Sequence, residues 1–161
     1  RECVGEGGGR IVKRVLGRVE QDAGWRAQRA AARLAPQDFV ADAIASAVQQ
    51  VADTLHACAI VAYTHRGTTA LRIARERPGC PVLGVTPMIQ VARRLALVWG
   101  VQAHISPPHT ALTTVESIVK AACDVVAQAG MGAAGDCVVV AAGMPFGVSG
   151  STNLLRVVTL G

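Results

Sequence analysis

Two stretches of this sequence carry the residue types that hold an anion. The first is Thr64-His65-Arg66-Gly67-Thr68-Thr69, which follows an apolar run and opens an amphipathic one. Hydroxyls, an arginine and the unpaired N–H groups of a helix start would fall together there. The second runs from Gly143 through Met144, Pro145, Phe146, Gly147, Val148, Ser149, Gly150, Ser151 and Thr152 to Asn153, with Gly147, Ser149 and Gly150 as its anion-facing candidates. Either stretch alone reads as an ordinary helix start or turn. They matter jointly only if the fold brings them to one place.

Other chemistries fail on order or spacing. Gly130-Met131-Gly132-Ala133-Ala134-Gly135 matches G-x-G-x-x-G letter for letter. A dinucleotide site needs that motif after a strand and before a helix; here it follows a helical pattern and precedes an apolar strand. It reads as a flexible helix-to-strand connection with Gly130 as helix cap. His56, His65, His104 and His109 show neither HExxH nor paired-ligand spacing. Ser149 misses the G-x-S-x-G elbow by one residue, and a strand rather than a helix follows. No catalytic and no metal-ligating residue is assigned.

The elements that would position the two stretches follow from hydrophobic periodicity. Residues 1–33 hold a glycine cluster, an amphipathic stretch at 11–20 and an Arg/Ala-rich segment, with too little apolar surface to fold alone. A domain is expected from Pro36, so the division is 1–35 and 36–161. A helix over 37–55 comes first, with Phe39, Ala43, Ile44, Ala47, Val48 and Val51 at helical spacing. The chain then alternates: strand 58–63, helix 68–77, strand 81–85, helix 89–99, strand 101–105, helix 112–129, strand 137–142. Such alternation predicts an α/β fold, a doubly wound, mostly parallel five-stranded sheet flanked by helices. The last run, 154–160, follows without a helix and is expected antiparallel at or near an edge. With the strand order 3-2-1-4, strands one and four are neighbours, and both candidate loops leave the switch point where such sheets bind ligands.

Composition narrows the class. Over half of the 161 residues are hydrophobic and few are aromatic, which suits a Val/Ala/Leu/Ile core. The formal charge of +5 is spread over helices (Arg72, Arg75, Arg77, Arg93, Arg94) without a dense run, so no nucleic-acid partner is expected. No apolar run approaches the ~20 residues that span a bilayer. Cys3, Cys58, Cys80, Cys123 and Cys137 form no CxxC pair. Reduced cysteines, a cytoplasmic location and no membrane partner are the expectations.

The ordered set of segments resembles the C-terminal, regulatory α/β domain of pyruvate kinases. The strand ending at Tyr63 runs into Thr64-x-x-Gly67-x-Thr69-Ala70, then come Arg75-Glu76-Arg77-Pro78, Pro81-Val82-Leu83-Gly84-Val85-Thr86-Pro87 and Ala92-Arg93-Arg94-Leu95-Ala96-Leu97-Val98-Trp99-Gly100-Val101. The ending, Gly135-Asp136-Cys137-Val138-Val139-Val140, Gly143-Met144-Pro145-Phe146-Gly147 and Gly150-Ser151-Thr152-Asn153-Leu154-Leu155-Arg156-Val157, is similar to the family's closing signature. Glu2-Cys3-Val4-Gly5-Glu6 and 11–20 are similar to the end of that family's catalytic barrel. Where the family carries a Tyr-Pro pair, this chain has Gly7 and Gly8.

The resemblance implies an oligomerisation and effector-binding domain of an enzyme that transfers a phosphoryl group from phosphoenolpyruvate to ADP in glycolysis, with Mg²⁺ and K⁺. Those ions belong to the full-length enzyme, and this chain is expected to hold no cofactor and, lacking the barrel's catalytic motifs, to make no pyruvate by itself. The alternative is a free-standing, non-catalytic module that binds a small phosphorylated molecule. The implied effector site is the Thr64, His65, Arg66, Gly67, Thr68, Thr69 loop, capped by Gly147, Ser149 and Gly150. Forms that take a sugar bisphosphate add a Trp and an Arg; Ser106-Pro107-Pro108-His109-Thr110 here has neither, so the resemblance implies a monophosphate, a sugar monophosphate or AMP, or no effector at all. The implied assembly is a homodimer through this domain, and a tetramer at full length. Glutamate at Thr69 is expected to block the phosphate while leaving the helix start intact.

Overall fold

The computed structural model describes residues 5–31, 39–106, 114–144 and 151–161. The chain falls into two units, Arg1–Ala35 and Pro36–Gly161. In the first, helix α1 spans Gly5–Gln21 and helix α2 Ala23–Ala31. The helix is longer than the 11–20 stretch, reaching back through Gly7, Gly8 and Gly9, although each interior glycine costs about 1 kcal/mol relative to alanine. Ile11, Val12, Val15 and Leu16 on α1 are all more than half exposed. Asp22 separates the helices, and its Oδ1 accepts from the Trp25 N–H at 2.9 Å, the usual duty of a residue before a helix.

The second unit is a five-stranded sheet in the order β3-β2-β1-β4-β5. Its strands are β1 (Ala59–Tyr63), β2 (Val82–Thr86), β3 (Val101–Ile105), β4 (Cys137–Gly143) and β5 (Thr152–Thr159). The first four run parallel, with Ile60 beside Val82 and Val139, and β5 returns antiparallel to β4 at one edge. Strands β1, β2 and almost all of β4 are buried on both faces, which is why their sequences read as continuous apolar runs. Helices α3 (Val40–Thr54), α4 (Thr68–Arg75) and α5 (Ile89–Leu95) cover one face against Ile60, Ala62, Val139 and Ala141. Helix α6 (Val115–Gln128) covers the other against Val61, Tyr63, Val138 and Val140. The winding and the edge strand are as the periodicity predicts.

Helix ends differ from the sequence pattern for local reasons. The pattern carries one helix to 99, but α5 ends at Leu95. Leu97, Val98 and Val101 each bond a carbonyl three residues back, tightening the chain into turns, and Gly100 at φ +74° turns it into β3. Helix α4 stops at Arg75 rather than at 77, because Arg77 adopts φ 52° immediately before Pro78. The Arg77 guanidinium lies 5.3 Å from the centre of the Trp99 ring, a cation–π contact that helps hold this left-handed residue. Helix α6 begins at Val115 with a capping box between Thr114 and Ser117; residues 112 and 113 lie outside the described residues.

The Gly130–Gly135 connection is tied down rather than flexible. Gly130 N–H donates to Ala127 O and Met131 N–H to Val126 O, the paired bonds of a glycine-ended helix. Gly135 N–H then donates to Leu160 O and Leu160 N–H to Asp136 O, so the segment closes on the end of β5.

One ionic network sits between the helices. Asp42, 2 % exposed in the first turn of α3, accepts from Arg72 Nε and Arg75 Nη2, both at 2.8 Å. Arg75 also reaches buried Glu76 at 3.4 Å. The bonded Asp42 carboxylate holds Arg75 above its ordinary pKa. These contacts fix the last turn of α4 against α3, and so set where its first turn stands over the sheet.

Candidate functional site

Helix α4 begins at the carboxyl end of β1, beside β4, where the order of the sheet reverses. Thr64 N–H donates to Val85 O at 2.9 Å, extending the β1–β2 pairing by one residue. The chain then turns through half-buried His65 and exposed Arg66 to Gly67, which has φ +91° and precedes the helix without a side-chain cap. Glycine is favoured there chiefly by its backbone conformation, with little spare room beside it. The backbone lies in the left-handed region, and a Cβ would stand 3.3 Å from Val91 Cγ1 and 3.5 Å from Leu95 Cδ2 of α5. The first helical bond runs from Leu71 N–H to Gly67 O, so Thr68, Thr69 and Ala70 present N–H groups with no acceptor inside the helix.

The hydroxyls are used differently from the sequence expectation of three converging on one anion. Thr64 Oγ1 accepts from the Gly67 N–H at 2.9 Å and so builds the turn. Thr69 is 5 % exposed, and its Oγ1 lies 2.8 Å from Thr152 Oγ1 at the start of β5. Thr68, half-buried, is the hydroxyl left beside the helix start. A glutamate at Thr69 would enter a packed hydroxyl pair rather than an open pocket, which overturns the expectation that it would spare the fold. Thr68 is the position where a carboxylate can be placed.

Two further features escaped the sequence reading. Arg94 Nη2 on α5 donates to Arg66 O at 3.0 Å, bringing a second guanidinium to the turn. Asn153 closes the mouth of the β4–β5 connection, its Oδ1 accepting from Met144 N–H at 2.9 Å and its Nδ2 donating to Met144 O at 2.7 Å. Neither bond has a local sequence signal, since the partners are joined only by the sheet and its helices. Gly147, Ser149 and Gly150 lie outside the described residues, as do Pro107, Pro108, His109 and Thr110. Tyr63, last in β1, is buried against α6 with its hydroxyl unpartnered, and burial together with Asp124 pushes that phenol well above its ordinary range. Burial likewise pushes the Cys80 thiol up to about 11.

Among the described residues no three His, Cys, Asp or Glu side chains come together to hold a metal ion. No helix among them is long and apolar enough to cross a membrane.

A mostly parallel, doubly wound sheet flanked by helices, with a helix start at its β1/β4 switch point, defines a doubly wound α/β domain. A family model described as pyruvate kinase, alpha/beta domain, matches residues 42–158, and the chain belongs to that family. Among its relatives, a pyruvate kinase of Methylorubrum extorquens is 35% identical over 146 residues, covering 91% of this chain and 30% of the relative. One from Agrobacterium vitis is 45% identical over 119 residues, covering 74% of this chain and 24% of the relative. The chain thus spans less than a third of these relatives. A solved structure, Cryptosporidium parvum pyruvate kinase in complex with ADP, superposes with a TM-score of 0.68 at 24% identity over 80% of this chain and 25% of that one. At that identity it supports the fold alone.

Proposed function

We propose that this domain is the regulatory and oligomerisation part of a pyruvate kinase, with a phosphorylated effector bound at the start of α4. The catalytic transfer from phosphoenolpyruvate to ADP, with Mg²⁺ and K⁺, would lie in a barrel encoded elsewhere on the gene or chain, and the whole would work in the cytoplasm. The observation that carries the effector reading is the helix start itself. Gly67 turns the chain so that the N–H groups of Thr68, Thr69 and Ala70 head a helix of eight residues at the switch point, with Arg66 exposed beside them. A sugar monophosphate or AMP matches a single anion subsite of this kind.

Calorimetric titration with ribose 5-phosphate, fructose 6-phosphate and AMP tests it. Wild type should bind one of them, more tightly at low salt. Thr68→Glu should weaken that ligand by roughly 30-fold or more, because two negative charges about 4 Å apart repel strongly near a protein surface. Arg66→Ala should weaken it several-fold, leaving the backbone donors in place. No binding by wild type, or equal binding by Thr68→Glu, removes the effector site.

For assembly we propose a homodimer through this domain, and a tetramer when the barrel is present. Strand β5 closes one edge of the sheet over eight residues, and its outer backbone groups suit pairing with a second copy. Light scattering at micromolar concentration should give twice the mass of the chain; a clean monomer mass would reject the dimer.

A further inference from the structure

We propose that the bond between the Thr69 and Thr152 hydroxyls couples ligand occupancy of the Thr64–Thr69 turn to the order of the edge strand β5. The proposal rests on the phosphate-site reading above and adds a route by which that site acts on the rest of the domain. Thr69 is the second residue of α4, and its backbone N–H is one of those that head the helix. Its side chain points away from solvent onto Thr152, the first residue of β5, at 2.8 Å and across 83 positions of sequence. Both residues are buried, Thr69 at 5 % and Thr152 at 1 % exposure. A hydroxyl that loses its partner in such a setting has no water to replace it, so the two move together. Among the described residues no other hydrogen bond joins α4 to β5.

The β5 end of this link is stiff. Thr152 pairs with Gly143 at the one irregularity of the β4–β5 ladder. A Cβ on Gly143 would lie 2.6 Å from Ser151 Oγ and 2.9 Å from Ser151 O, so the backbone passes close to Ser151 there and leaves no room for a side chain. Asn153, next along, clasps both backbone polar groups of Met144. A small shift of the first turn of α4 toward a phosphate therefore pulls on a fixed point from which the rest of β5 runs. A single residue carries both the donor that faces the ligand and the hydroxyl that holds the strand.

Amide hydrogen exchange on this 161-residue chain, with and without saturating ribose 5-phosphate, tests the link. In wild type the ligand should slow exchange both at Thr68–Ala70 and at Thr152–Leu154, the latter by about tenfold, a size typical of coupled sites. Thr152→Val keeps the shape and removes the hydroxyl. There the ligand should still protect Thr68–Ala70, while protection of β5 drops below about twofold; by reciprocity the ligand binds more weakly by the lost factor. Thr152→Ser, which keeps the hydroxyl, should restore the protection, and Thr69→Val should repeat the loss from the other side if either valine variant folds poorly. Ligand protection of β5 in Thr152→Val equal to wild type overturns the link. Protection of Thr68–Ala70 without any at β5 in wild type overturns it too and leaves the phosphate site standing. No protection at Thr68–Ala70 in wild type removes the phosphate site, and the coupling falls with it.

Discussion

Asp42→Ala is expected to destabilise the domain by about 3 kcal/mol, seen as a lower urea midpoint at unchanged slope. Asp42 is the only carboxylate bonded to both Arg72 and Arg75 among the described residues, and it is 2 % exposed while they are 28% and 37% exposed. Removing it leaves Arg72 at the α3–α4 interface without its carboxylate and Arg75 with only the longer contact to Glu76. Arg72 Nη1 is already buried without a partner, so this corner has little capacity to absorb another unmet donor. The partial exposure of both arginines lets water offset part of the loss, which keeps the figure at the low end for a broken buried pair. Replacing Asp42 and Arg72 together, Asp42→Leu with Arg72→Met, and keeping Arg75 for the buried Glu76, should cost less than Asp42→Ala alone, because it removes the more buried guanidinium along with its carboxylate and leaves Arg75 an anion. A loss below about 1 kcal/mol for Asp42→Ala, or a double variant weaker than the single one, would show that the network does not hold α4 in place.

The second large effect is expected at Gly132, the middle glycine of the G-x-G-x-x-G match. Its φ is +77°, and a Cβ there would stand 2.7 Å from Cys58 Sγ and 2.8 Å from Leu160 Cδ1. Gly132→Ala therefore meets a backbone penalty of about 1–2 kcal/mol and a steric one of similar size, for a total near 3 kcal/mol. Gly135, at φ +94° with open space around its Cβ position, should lose only the backbone part on the same change. Thermal or urea unfolding of the two alanine variants side by side separates the contributions. Equal losses would mean that the approach to Cys58 and Leu160 is not what demands glycine. The motif thus has a packing reason in place of a nucleotide: the connection after α6 must slip between the start of β1 and the end of β5.

The architecture was largely written in the order of patterns along the chain. Apolar runs such as Ile60–Ala62 and Val138–Val140 can be satisfied only in a sheet covered on both faces, and helical repeats between them force parallel strands with a reversal at β1/β4. The Thr64–Thr69 turn was legible for the same reason: Gly67 after a strand and before a helix marks a helix start, and strand order places it at the switch point. Family membership followed from the same ordered segments, because they are local strings that do not depend on geometry.

Helix ends and side-chain partners were decided elsewhere. Nothing in the apolar periodicity of residues 89–99 distinguishes a helix that continues from one that tightens into turns after Leu95, since the same residues pack either way and Gly100 acts only once β3 is in place. Thr64, Thr68 and Thr69 look alike in sequence. The fold gives them three different tasks, a turn bond to Gly67, a place at the helix start and a buried pair with Thr152. The Asp42–Arg72–Arg75 cluster and the Arg94–Arg66 bond likewise join residues 28 to 33 positions apart. A side chain's partner is set by which surfaces the sheet brings within about 3 Å, a distance that sequence separation does not encode. The sequence by itself determined the layers, the winding and the place of the loop; only the tertiary structure decided which hydroxyl stays beside the helix start and which one ties that loop to the last strand.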